Sequence, residues 1–512
     1  MPDDVQTAAP DHLTAHAATT PDKPAVIDPD GPTVTFAELE ARANRLAHGL
    51  LKLGLGAGDR IVWCGPNSLE VLVVLHAARK IGLVAVPLAY RFTSDEMRYV
   101  IADSGAVVVL VDAEQAGRVA AVRADLPDVR EVVVFRGDPF DGALAWDDVL
   151  AGGSEDPPLP PGEGGGQMIY TSGTTGKPKG ALRTRVDPAI TAALVATLRL
   201  RAGEEVHLTT GPVYHSGPLS WATLTHALGG TIVIMRSFEA GRWLDLVREY
   251  RVTNTFTAPT PLKRIVALPP EALARADVSS MRSLVVNAAP VPYALKVEIA
   301  EKLGEGFLFE IYGSTELGVD AVMPPEEQLG RPGSCGRALP GVELRVVGPD
   351  GEPLPAGEPG ELQVRSPITF AGYHGREPLG DGWKSVGDVA HLDAEGYLYI
   401  RDRGSDLVIT GGMNVYPAEV EAVLHAHPDV MDAAVFGLPS DEWGQTVHAV
   451  VVPRRGREID VAVLEAHVAE HLARYKHPRS WQVRDALPRT DSGKLLKRVL
   501  RDEHTPDRGV SG

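Results

Sequence analysis

A short stretch of the chain, Tyr170–Gly180, combines the residue types that hold a polyphosphate. It reads Tyr-Thr-Ser-Gly-Thr-Thr-Gly-Lys-Pro-Lys-Gly. Glycines let backbone N–H groups turn towards an anion, hydroxyls donate further hydrogen bonds, and lysines add positive charge. The order is not the Gly-x-x-x-x-Gly-Lys-Ser/Thr pattern of P-loop NTPases. The stretch therefore predicts a site for nucleotide phosphates of another kind; the alternative is a surface loop rich in Gly and Thr.

Four further motifs follow this stretch along the chain. They are Tyr312–Glu316, which reads Tyr-Gly-Ser-Thr-Glu, the pairs Gly387-Asp388 and Asp402-Arg403, and Pro488–Lys494, which reads Pro-Arg-Thr-Asp-Ser-Gly-Lys. The five motifs in this order resemble those of the ANL superfamily of adenylate-forming enzymes. That superfamily includes acyl-CoA synthetases, the adenylation domains of peptide synthetases and firefly luciferase. Five ordered motifs are far more specific than any single one.

The resemblance implies that the motifs bind ATP. Tyr312 would stack on the adenine, Asp388 would accept the ribose hydroxyls, and Arg403 would reach the same sugar or a phosphate oxygen. Considered alone, Asp388 could equally be a turn residue. The segment Asn287–Pro290 resembles the loop that lies along the adenine. The nucleotide- and coenzyme-binding residues predicted in this way are Thr171, Ser172, Gly173, Thr174, Thr175, Lys179, Asn287, Ala288, Ala289, Tyr312, Gly313, Asp388, Arg403, Gly411 and Gly412.

The chemistry that follows is activation of a carboxylate. A carboxylate becomes a good acyl donor when it attacks the α-phosphorus of ATP, but both reactants are anionic and repel each other, so positive charge must be concentrated there. By resemblance Lys494 bridges the carboxylate and the α-phosphate, and Thr315 donates to that phosphate. Glu316 is the predicted Mg²⁺ ligand, since one carboxylate plus substrate phosphates commonly holds this ion. His215, in Val-Tyr-His-Ser-Gly-Pro, is expected to gate or orient the acid; the alternative is a structural histidine in a turn.

A second step would transfer the acyl group to coenzyme A. The resemblance makes Asp402 the hinge about which a small domain rotates, and Thr410–Pro417 the loop that then faces the site. Gly411 and Gly412 would leave room for the pantetheine arm. Three basic residues are predicted either to meet the phosphates of coenzyme A or to form a solvated face: Arg474, Lys476 and Arg479. Cys64 and Cys335 have no activating neighbour in sequence, so the thiol is expected to come from coenzyme A.

Composition limits the remaining functions. The chain has 512 residues, of which 44% are hydrophobic, and a formal net charge of −18. Such a charge argues against nucleic-acid binding. No stretch of about 18 uncharged apolar residues occurs, and the first residues, Met-Pro-Asp-Asp, do not resemble a signal peptide. We therefore expect a cytoplasmic protein without a membrane span. A homodimer and a monomer stay open.

The hydrophobic pattern predicts an α/β protein. Thr35–Glu38 reads as a capping box for a helix through Leu50, and the strand Ile61–Cys64, the helix Leu69–Ile81 and the strand Val107–Val111 continue the alternation. We expect a large N-terminal domain of parallel α/β sheets over residues 1–401, with a small β-rich subdomain at about 340–400. A small mobile α+β C-terminal domain is expected over 402–512, with its hinge at Asp402.

The acid itself is only partly predicted. The segment after His215 offers no carboxylate to pair an ammonium group, so an amino-acid substrate is disfavoured; its residues are Leu219, Trp221, Ala222 and Leu224. Fatty-acid, aryl-acid and bile-acid or steroid CoA ligases are the more similar types, and small residues around the adenine loop would permit a bulky or polycyclic acid. Three functions stay open: an acid–CoA ligase, an enzyme of one half-reaction that uses supplied adenylate or loads a carrier protein, and a non-catalytic binder.

Overall fold

The computed structural model describes residues 11–161, 165–171, 178–184, 187–370, 372–376, 382–403, 406–410, 413–440, 442–490, 493 and 495–504. Through residue 257 the elements are α1 (His12–Thr19), β1 (Pro24–Ile27), β2 (Thr33–Thr35), α2 (Phe36–Lys52), β3 (Arg60–Cys64), α3 (Leu69–Lys80), β4 (Val84–Leu88), α4 (Ser94–Ser104), β5 (Val108–Asp112), α5 (Ala113–Val122), β6 (Glu131–Phe135), β7 (Leu144–Ala145), α6 (Trp146–Ala151), β8 (Gly166–Thr171), β9 (Lys179–Arg183), α7 (Pro188–Thr197), β10 (Val206–Leu208), α8 (Ser216–Ala227), β11 (Thr231–Val233), α9 (Ala240–Glu249) and β12 (Asn254–Thr257).

The remaining elements are α10 (Pro259–Val266), α11 (Pro270–Leu273), β13 (Ser283–Val286), α12 (Tyr293–Leu303), β14 (Leu308–Ser314), β15 (Gly318–Met323), β16 (Arg337–Ala338), β17 (Glu343–Val347), β18 (Gly360–Arg365), β19 (Gly372–Tyr373), β20 (Asp388–Leu392), β21 (Leu398–Arg403), β22 (Val408–Thr410), β23 (Met413–Val415), α13 (Pro417–Ala426), β24 (Val430–Ser440), β25 (Gly444–Pro453), α14 (Val461–His471), β26 (Ser480–Val483) and α15 (Lys497–His504).

The chain forms two compact units that do not follow simple halves of the sequence. The first contains residues 1–257, 275–284 and 368–381, and the second contains 258–274, 285–367 and 382–512. A boundary at Asp402, expected from the sequence, stays a prediction. The predicted class, an α/β protein with parallel sheets followed by a smaller α+β part, is confirmed.

The first unit is built on an eight-stranded sheet in the order β19-β9-β8-β4-β3-β5-β6-β7. The strands from β8 to β7 run parallel, and β9 and β19 add an antiparallel edge. Residues alternate between its two faces: Ile61 and Trp63 pack into one core cluster and Val62 and Cys64 into another. Burial on both faces explains why these strands read as continuous apolar runs.

A second group of strands in this unit has the order β12-β10-β11-β1-β2. Helix α2 begins at the predicted capping box, in which Thr35 Oγ1 accepts from the Glu38 N–H and a Glu38 carboxylate oxygen accepts from the Thr35 N–H. This box satisfies two N–H groups that the first turn would otherwise leave without partners. Helix α3 begins one residue after Ser68, whose hydroxyl accepts from the Val71 N–H.

The second unit contains antiparallel sheets. Strands β14, β15 and β16 form one ladder, and β17-β18-β20-β21 form a four-stranded sheet that corresponds to the predicted β-rich segment. The C-terminal part has the order β23-β22-β25-β24, with β26 parallel to β25. Alternate residues of β24 again serve two cores, Val435 in one and Phe436 in the other.

Candidate active site

In sequence, the predicted phosphate loop lies between the two strands of a β-hairpin. Strands β8 and β9 pair antiparallel, and Thr171 lies opposite Lys179 at the last pair of the ladder. Residues Ser172, Gly173, Thr174 and Thr175 lie outside the described residues. The structure therefore shows how the two ends of the predicted loop are held beside each other.

Helix α4 anchors this hairpin on both sides of the predicted loop. The Tyr99 hydroxyl donates to the carbonyl oxygen of Pro178 at 3.0 Å, and the Tyr170 hydroxyl donates to Asp103 Oδ2 at 2.6 Å. Burial and the Asp103 carboxylate raise the pKa of Tyr170, so this phenol keeps its proton. Sequence reasoning missed Tyr99 and Asp103, because nothing local in the sequence links them to a segment about 70 residues away.

A segment much further along the chain supports the same hairpin. Strand β19 pairs with β9, and Tyr373 lies opposite Ala181. The ammonium group of Lys179 lies 5.6 Å from the centroid of the Tyr373 ring. This separation is within the range of a cation–π contact, so the ring helps to orient the lysine.

His215 directly precedes helix α8 in the same unit. Its ring lies 4.3 Å from that of Tyr214, which is buried. The turn before it is held by Asn67, which accepts from the Val213 N–H at 2.8 Å and donates to the Gly211 carbonyl at 3.0 Å. Asn67 is a further residue that sequence reasoning missed, since its partners lie about 145 positions away.

Thr315 and Glu316 lie in a tight connection between β14 and β15. Leu317, the third residue of this turn, is buried and its N–H donates to Ser314 Oγ at 3.1 Å. At Gly313 a Cβ atom would lie 2.0 Å from the carbonyl oxygen of Gly318, so no larger residue fits the turn. The two predicted catalytic side chains are half-buried and project from a connection of defined geometry.

Tyr312 and Asp388, predicted from separate motifs, touch each other. The Tyr312 hydroxyl donates to Asp388 Oδ2 at 2.5 Å. Burial and the Asp388 carboxylate raise the pKa of Tyr312 well above its ordinary value. Asp388 is only 7% exposed. The contact joins the predicted adenine and ribose motifs at one place.

Arg403 belongs to the same place by strand register. In the antiparallel pair β20 and β21, Asp388 lies opposite Arg403 and Val389 lies opposite Asp402. A bulge follows between Val389 and Ala390. The predicted ribose residue, its predicted arginine partner and the predicted hinge thus occupy the end of one ladder.

The predicted adenine loop contains a strained residue. Ala288 follows β13 and has φ of 73°, in the left-handed region that residues with a Cβ seldom adopt. Asn287 and Ala289 flank it and are half-buried, whereas Ala288 is exposed. Backbone strain of this kind tends to occur at ligand sites.

Lys494 lies outside the described residues, as do Gly411 and Gly412, but their surroundings are described. Strands β22 and β23 pair with Thr410 opposite Met413, across the two predicted glycines. Near Lys494, Arg489 forms an antiparallel bridge with Leu495, and the Leu496 N–H donates to the Pro488 carbonyl at 2.9 Å. The two ends of the C-terminal lysine motif are therefore held beside each other.

Two of the three basic residues considered for coenzyme A already have partners in the protein. Lys476 pairs with Glu419 at 2.6 Å, and the Arg479 guanidinium lies 4.1 Å from the centroid of Trp443. These contacts order a basic and aromatic surface in the C-terminal part of the chain.

Neither cysteine has the environment of a nucleophile. Burial raises the pKa of both Cys64 and Cys335, and a nearby carboxylate, Glu310 in the case of Cys335, adds to the effect. Both groups therefore stay thiols at neutral pH.

Within each unit the structure brings predicted residues together. The first unit gathers Thr171 and Lys179 at one hairpin end and places His215 at the start of α8. The second unit brings together residues of the predicted adenine, ribose and magnesium motifs, through Tyr312, Asp388 and the β14–β15 turn.

Comparisons with known proteins identify the class. The chain belongs to the family of AMP-binding enzymes, whose family model matches residues 13–374, and the model of the AMP-binding enzyme C-terminal domain matches residues 419–494. The resemblance to the ANL superfamily is confirmed.

Three members of that family illustrate which proteins this chain is similar to. Feruloyl-CoA synthase from Amycolatopsis sp is 39% identical over 92% of this chain and 94% of that enzyme. The fatty acid–[acyl-carrier-protein] ligase ScoC from Streptomyces coeruleorubidus is 35% identical over 96% of this chain and 95% of that enzyme. The structure of o-succinylbenzoate CoA synthetase (MenE) from Bacillus subtilis, in complex with the acyl-adenylate intermediate OSB-AMP, matches with a TM-score of 0.82 and 30% identity over 96% of this chain and 98% of that one.

Proposed function

We propose that this protein converts a carboxylic acid to its coenzyme A thioester through an acyl-adenylate, with ATP yielding AMP and pyrophosphate. The acid–thiol ligase class predicted from the motifs is confirmed by the relatives. The observation that carries the assignment of roles is the 2.5 Å contact between Tyr312 and Asp388, since it unites two motifs that are 76 residues apart.

In the first half-reaction a carboxylate oxygen attacks the α-phosphorus of ATP, and pyrophosphate leaves. Thr171, Lys179 and the predicted loop Ser172–Thr175 hold the phosphates, Thr315 donates to the α-phosphate, and Lys494 neutralises the approaching anions. Asp388 accepts from the ribose and Arg403 lies opposite it in register. Each of these groups binds or orients; the energy of the step comes from ATP.

Mg²⁺ fits the oxygen donors present. Among the described residues, no group of three or more His, Cys, Asp or Glu side chains could by itself hold a metal ion. Glu316 supplies one carboxylate in a turn of fixed geometry, which suits an ion that takes most of its ligands from phosphates and water. When bound, Mg²⁺ would neutralise charge on the triphosphate.

In the second half-reaction the thiol of coenzyme A attacks the acyl carbon, and AMP leaves. We infer that rotation about Asp402 exchanges the Lys494 segment for the Gly411–Gly412 loop, and that Arg479 and Lys476 lie near the coenzyme's phosphates. His215 would orient the acyl group at the start of α8.

The acid that we favour is aromatic and bulky. In helix α8, which follows His215, the ring of Trp221 lies 4.8 Å from that of Phe256, and both rings are buried. Aromatic side chains of this kind would suit an aryl group. The relative with 39% identity is a feruloyl-CoA synthase, which supports the same class. An amino acid stays disfavoured because the segment offers no carboxylate for its ammonium group.

A carrier protein is the second candidate acceptor. The relative ScoC is named a fatty acid–[acyl-carrier-protein] ligase and matches almost the whole chain. The relatives differ in the acceptor as well as in the acid, so both are measured.

Other properties follow from charge and composition. A net charge of −18 opposes binding to nucleic acid. No helix in the described part of the chain combines the length and apolar character needed to cross a bilayer. We propose a cytoplasmic location and treat a homodimer as a hypothesis for the measurement of solution mass.

The function is tested with purified protein, ATP and Mg²⁺. Ferulic acid, palmitic acid and phenylalanine serve as alternative acids, and coenzyme A or a phosphopantetheinylated carrier protein as alternative acceptors. Pyrophosphate release and thioester mass are measured separately. We expect the aromatic acid with coenzyme A to give the highest kcat/KM. Absence of pyrophosphate release with every acid would overturn adenylation, and thioester on the carrier alone would replace coenzyme A as acceptor.

A further inference from the structure

A half-buried carboxylate in the C-terminal part of the chain binds two cations from different segments. Asp432, near the start of β24, accepts from Lys263 of α10 through Oδ1 at 3.2 Å. Its other oxygen, Oδ2, accepts from Arg489 Nη2 at 2.7 Å and from Nε at 3.2 Å. The Asp432 side chain is only 15% exposed. Both oxygens are thus used, and each is directed to a different segment.

Arg489 connects Asp432 to the lysine motif. Its remaining amino group, Nη1, donates to the carbonyl oxygen of Gly493 at 2.6 Å. A guanidinium is a rigid planar fork, so fixing one edge on Asp432 fixes the direction of the other. The Gly493 carbonyl belongs to the planar peptide unit that leads into Lys494. The orientation of that peptide unit therefore depends on Asp432.

Gly493 is itself held closely. Its φ is 83°, and a Cβ atom there would lie 3.3 Å from Ala258 Cβ, just before α10. Its N–H donates to the Thr490 carbonyl at 2.8 Å. Lys263 of the same helix reaches Asp432, so α10 lies beside both the carboxylate and the glycine.

A second ion pair lies in the same region. Arg454, just after β25, donates to Glu298 of α12 at 3.0 Å, and Lys302 donates to the same glutamate at 2.8 Å. Glu298, Arg454 and Lys263 line one small cavity together with His425. Two acids and several cations from both sides of residue 402 are thus paired here.

The electrostatics agree with a charged, paired Asp432. Burial by itself would raise its pKa, but Lys263 and Arg489 outweigh burial and hold the pKa below its usual value. Burial and Lys263 lower the pKa of the neighbouring His425 to about 3, so that this histidine stays neutral. The carboxylate is therefore the anion that holds these cations together.

We propose that Asp432 is a positioning residue for the first half-reaction: through Arg489 it orients the backbone that leads into Lys494, and through Lys263 it ties this segment to α10. The inference deepens the proposed function and rests on it. Lys263 precedes the predicted hinge, whereas Asp432 and Arg489 both follow it. Rotation about Asp402 would therefore separate Lys263 from Asp432, whereas Arg489 would move together with Asp432. The ion pair between Lys263 and Asp432 would then exist in the adenylating arrangement only.

The two half-reactions are measured separately in variants. Asp432→Asn keeps the shape and removes the charge, and Asp432→Glu restores the charge. We expect Asp432→Asn to lower kcat for pyrophosphate release by about tenfold to a hundredfold, because misplacement of a catalytic group by about 1 Å has effects of that size. The KM values for ATP and acid should change little, since neither is bound by Asp432. Thioester formation from a supplied acyl-adenylate should stay within about twofold.

Further variants distinguish the contact of Asp432 with Lys263 from its contact with Arg489. Lys263→Met removes the tie to α10 and leaves the contact from Arg489 to Gly493, so its loss of adenylation should be smaller than that of Asp432→Asn. Asp432→Glu should recover part of the rate. Arg484→Gln is the matched control, because it breaks another arginine–carboxylate pair of the same region, with Glu503, and should leave both half-reactions unchanged.

The outcomes distinguish this inference from the proposed function. A wild-type protein that releases no pyrophosphate would contradict the function itself. A wild-type protein that adenylates, together with an Asp432→Asn variant of equal rate, would overturn the positioning role alone. An equal loss of both half-reactions in Asp432→Asn and Lys263→Met would also overturn it, because such a loss indicates general damage to the fold.

Discussion

Ala288 is the clearest case in which one residue's backbone restricts what its position can hold. Its φ of 73° is unfavourable for any side chain with a Cβ by about 1 kcal/mol. We expect Ala288→Gly to leave the free energy of unfolding unchanged or to raise it by up to about 1 kcal/mol. Ala288→Val should lower it by about 1–2 kcal/mol, since a β-branched residue is still less tolerant of this region. Urea denaturation measures both; a stabilising valine would contradict the strained conformation.

We expect the Tyr312 hydroxyl to contribute to ATP binding through Asp388. Tyr312→Phe removes the donor at 2.5 Å and leaves a mostly buried carboxylate with one hydrogen bond fewer. A hydrogen bond to a charged group contributes about 1.5–3 kcal/mol, so we expect the Kd for ATP to rise by about tenfold or more. Tyr397→Phe is the matched control, because the Tyr397 hydroxyl also donates to a carboxylate, that of Glu327 at 2.8 Å, away from the predicted nucleotide residues. Calorimetric titration with ATP should show no change in the control.

At this scale the sequence predicts residues that belong to local motifs and misses those that support them. Tyr312 and Asp388 each belong to a recognisable motif, and their side chains are in contact. Asn67 and Asp432 act through partners far away in sequence. Arg489, for example, is 57 positions from Asp432. An isolated Asp or Asn has no signal of its own, because its role comes from the tertiary contacts alone.

Helices α1, α3 and α8 meet at three histidines, the half-buried His12 and the buried His76 and His226, whose hydrogen bonds allow only neutral rings. His226 Nε2 donates to the Ala25 carbonyl, so its Nδ1 must accept from His76 Nε2, at 2.8 Å. His76 Nδ1 then accepts from Arg79, which also donates to His12 Nδ1. A proton on any of these accepting nitrogens would break a link in the chain.

This chain of histidines predicts how stability depends on pH. Burial lowers the pKa of His12 to about 3 and that of His226 to about 4. The pKa of His76 lies well below 6.5, chiefly because of burial and further because of the nearby His226, Arg79, His12 and Lys80. The unfolded chain gains protons as the pH falls through about 6.5, whereas the folded protein does not. The free energy of unfolding should therefore fall between about pH 6.5 and 4, by up to about 1.4 kcal/mol per pH unit for each histidine.

The measurement is urea denaturation at several pH values in wild type and in His226→Gln. Gln keeps an amide donor for the Ala25 carbonyl and does not titrate. Between pH 6.5 and 4, the slope of the free energy of unfolding against pH should be smaller in the variant by the contribution of one histidine, up to about 1.4 kcal/mol per pH unit. This difference does not depend on the stability of the variant at neutral pH. An unchanged slope would show that His226 is not held neutral in the folded protein.

At the scale of elements, prediction succeeds where the sequence pattern is local. The capping box predicted the start of α2, and the apolar runs predicted β3 and β5 within about one residue, because period and caps are properties of neighbouring residues. Strand β19 could not be predicted. It has two residues, and it exists because Tyr373 lies beside Ala181 of β9, nearly 200 positions earlier.

For the whole molecule, the central expectation is that one lysine serves one of two half-reactions. By resemblance Lys494 neutralises the carboxylate and the α-phosphate, and the thiol step then uses another surface. We expect Lys494→Ala to lower the rate of pyrophosphate release by at least about a hundredfold, since loss of a group that stabilises developing charge has effects of this size. Thioester formation from a supplied acyl-adenylate should persist, because the thiol attacks an acyl group that is already activated. Arg498→Ala is the matched control, as it removes a positive charge four residues later from a side chain that is 78% exposed. Quenched-flow kinetics measures the two half-reactions separately. If Lys494→Ala slowed the thioester step as much as adenylation, the assignment of Lys494 to the first half-reaction alone would be contradicted.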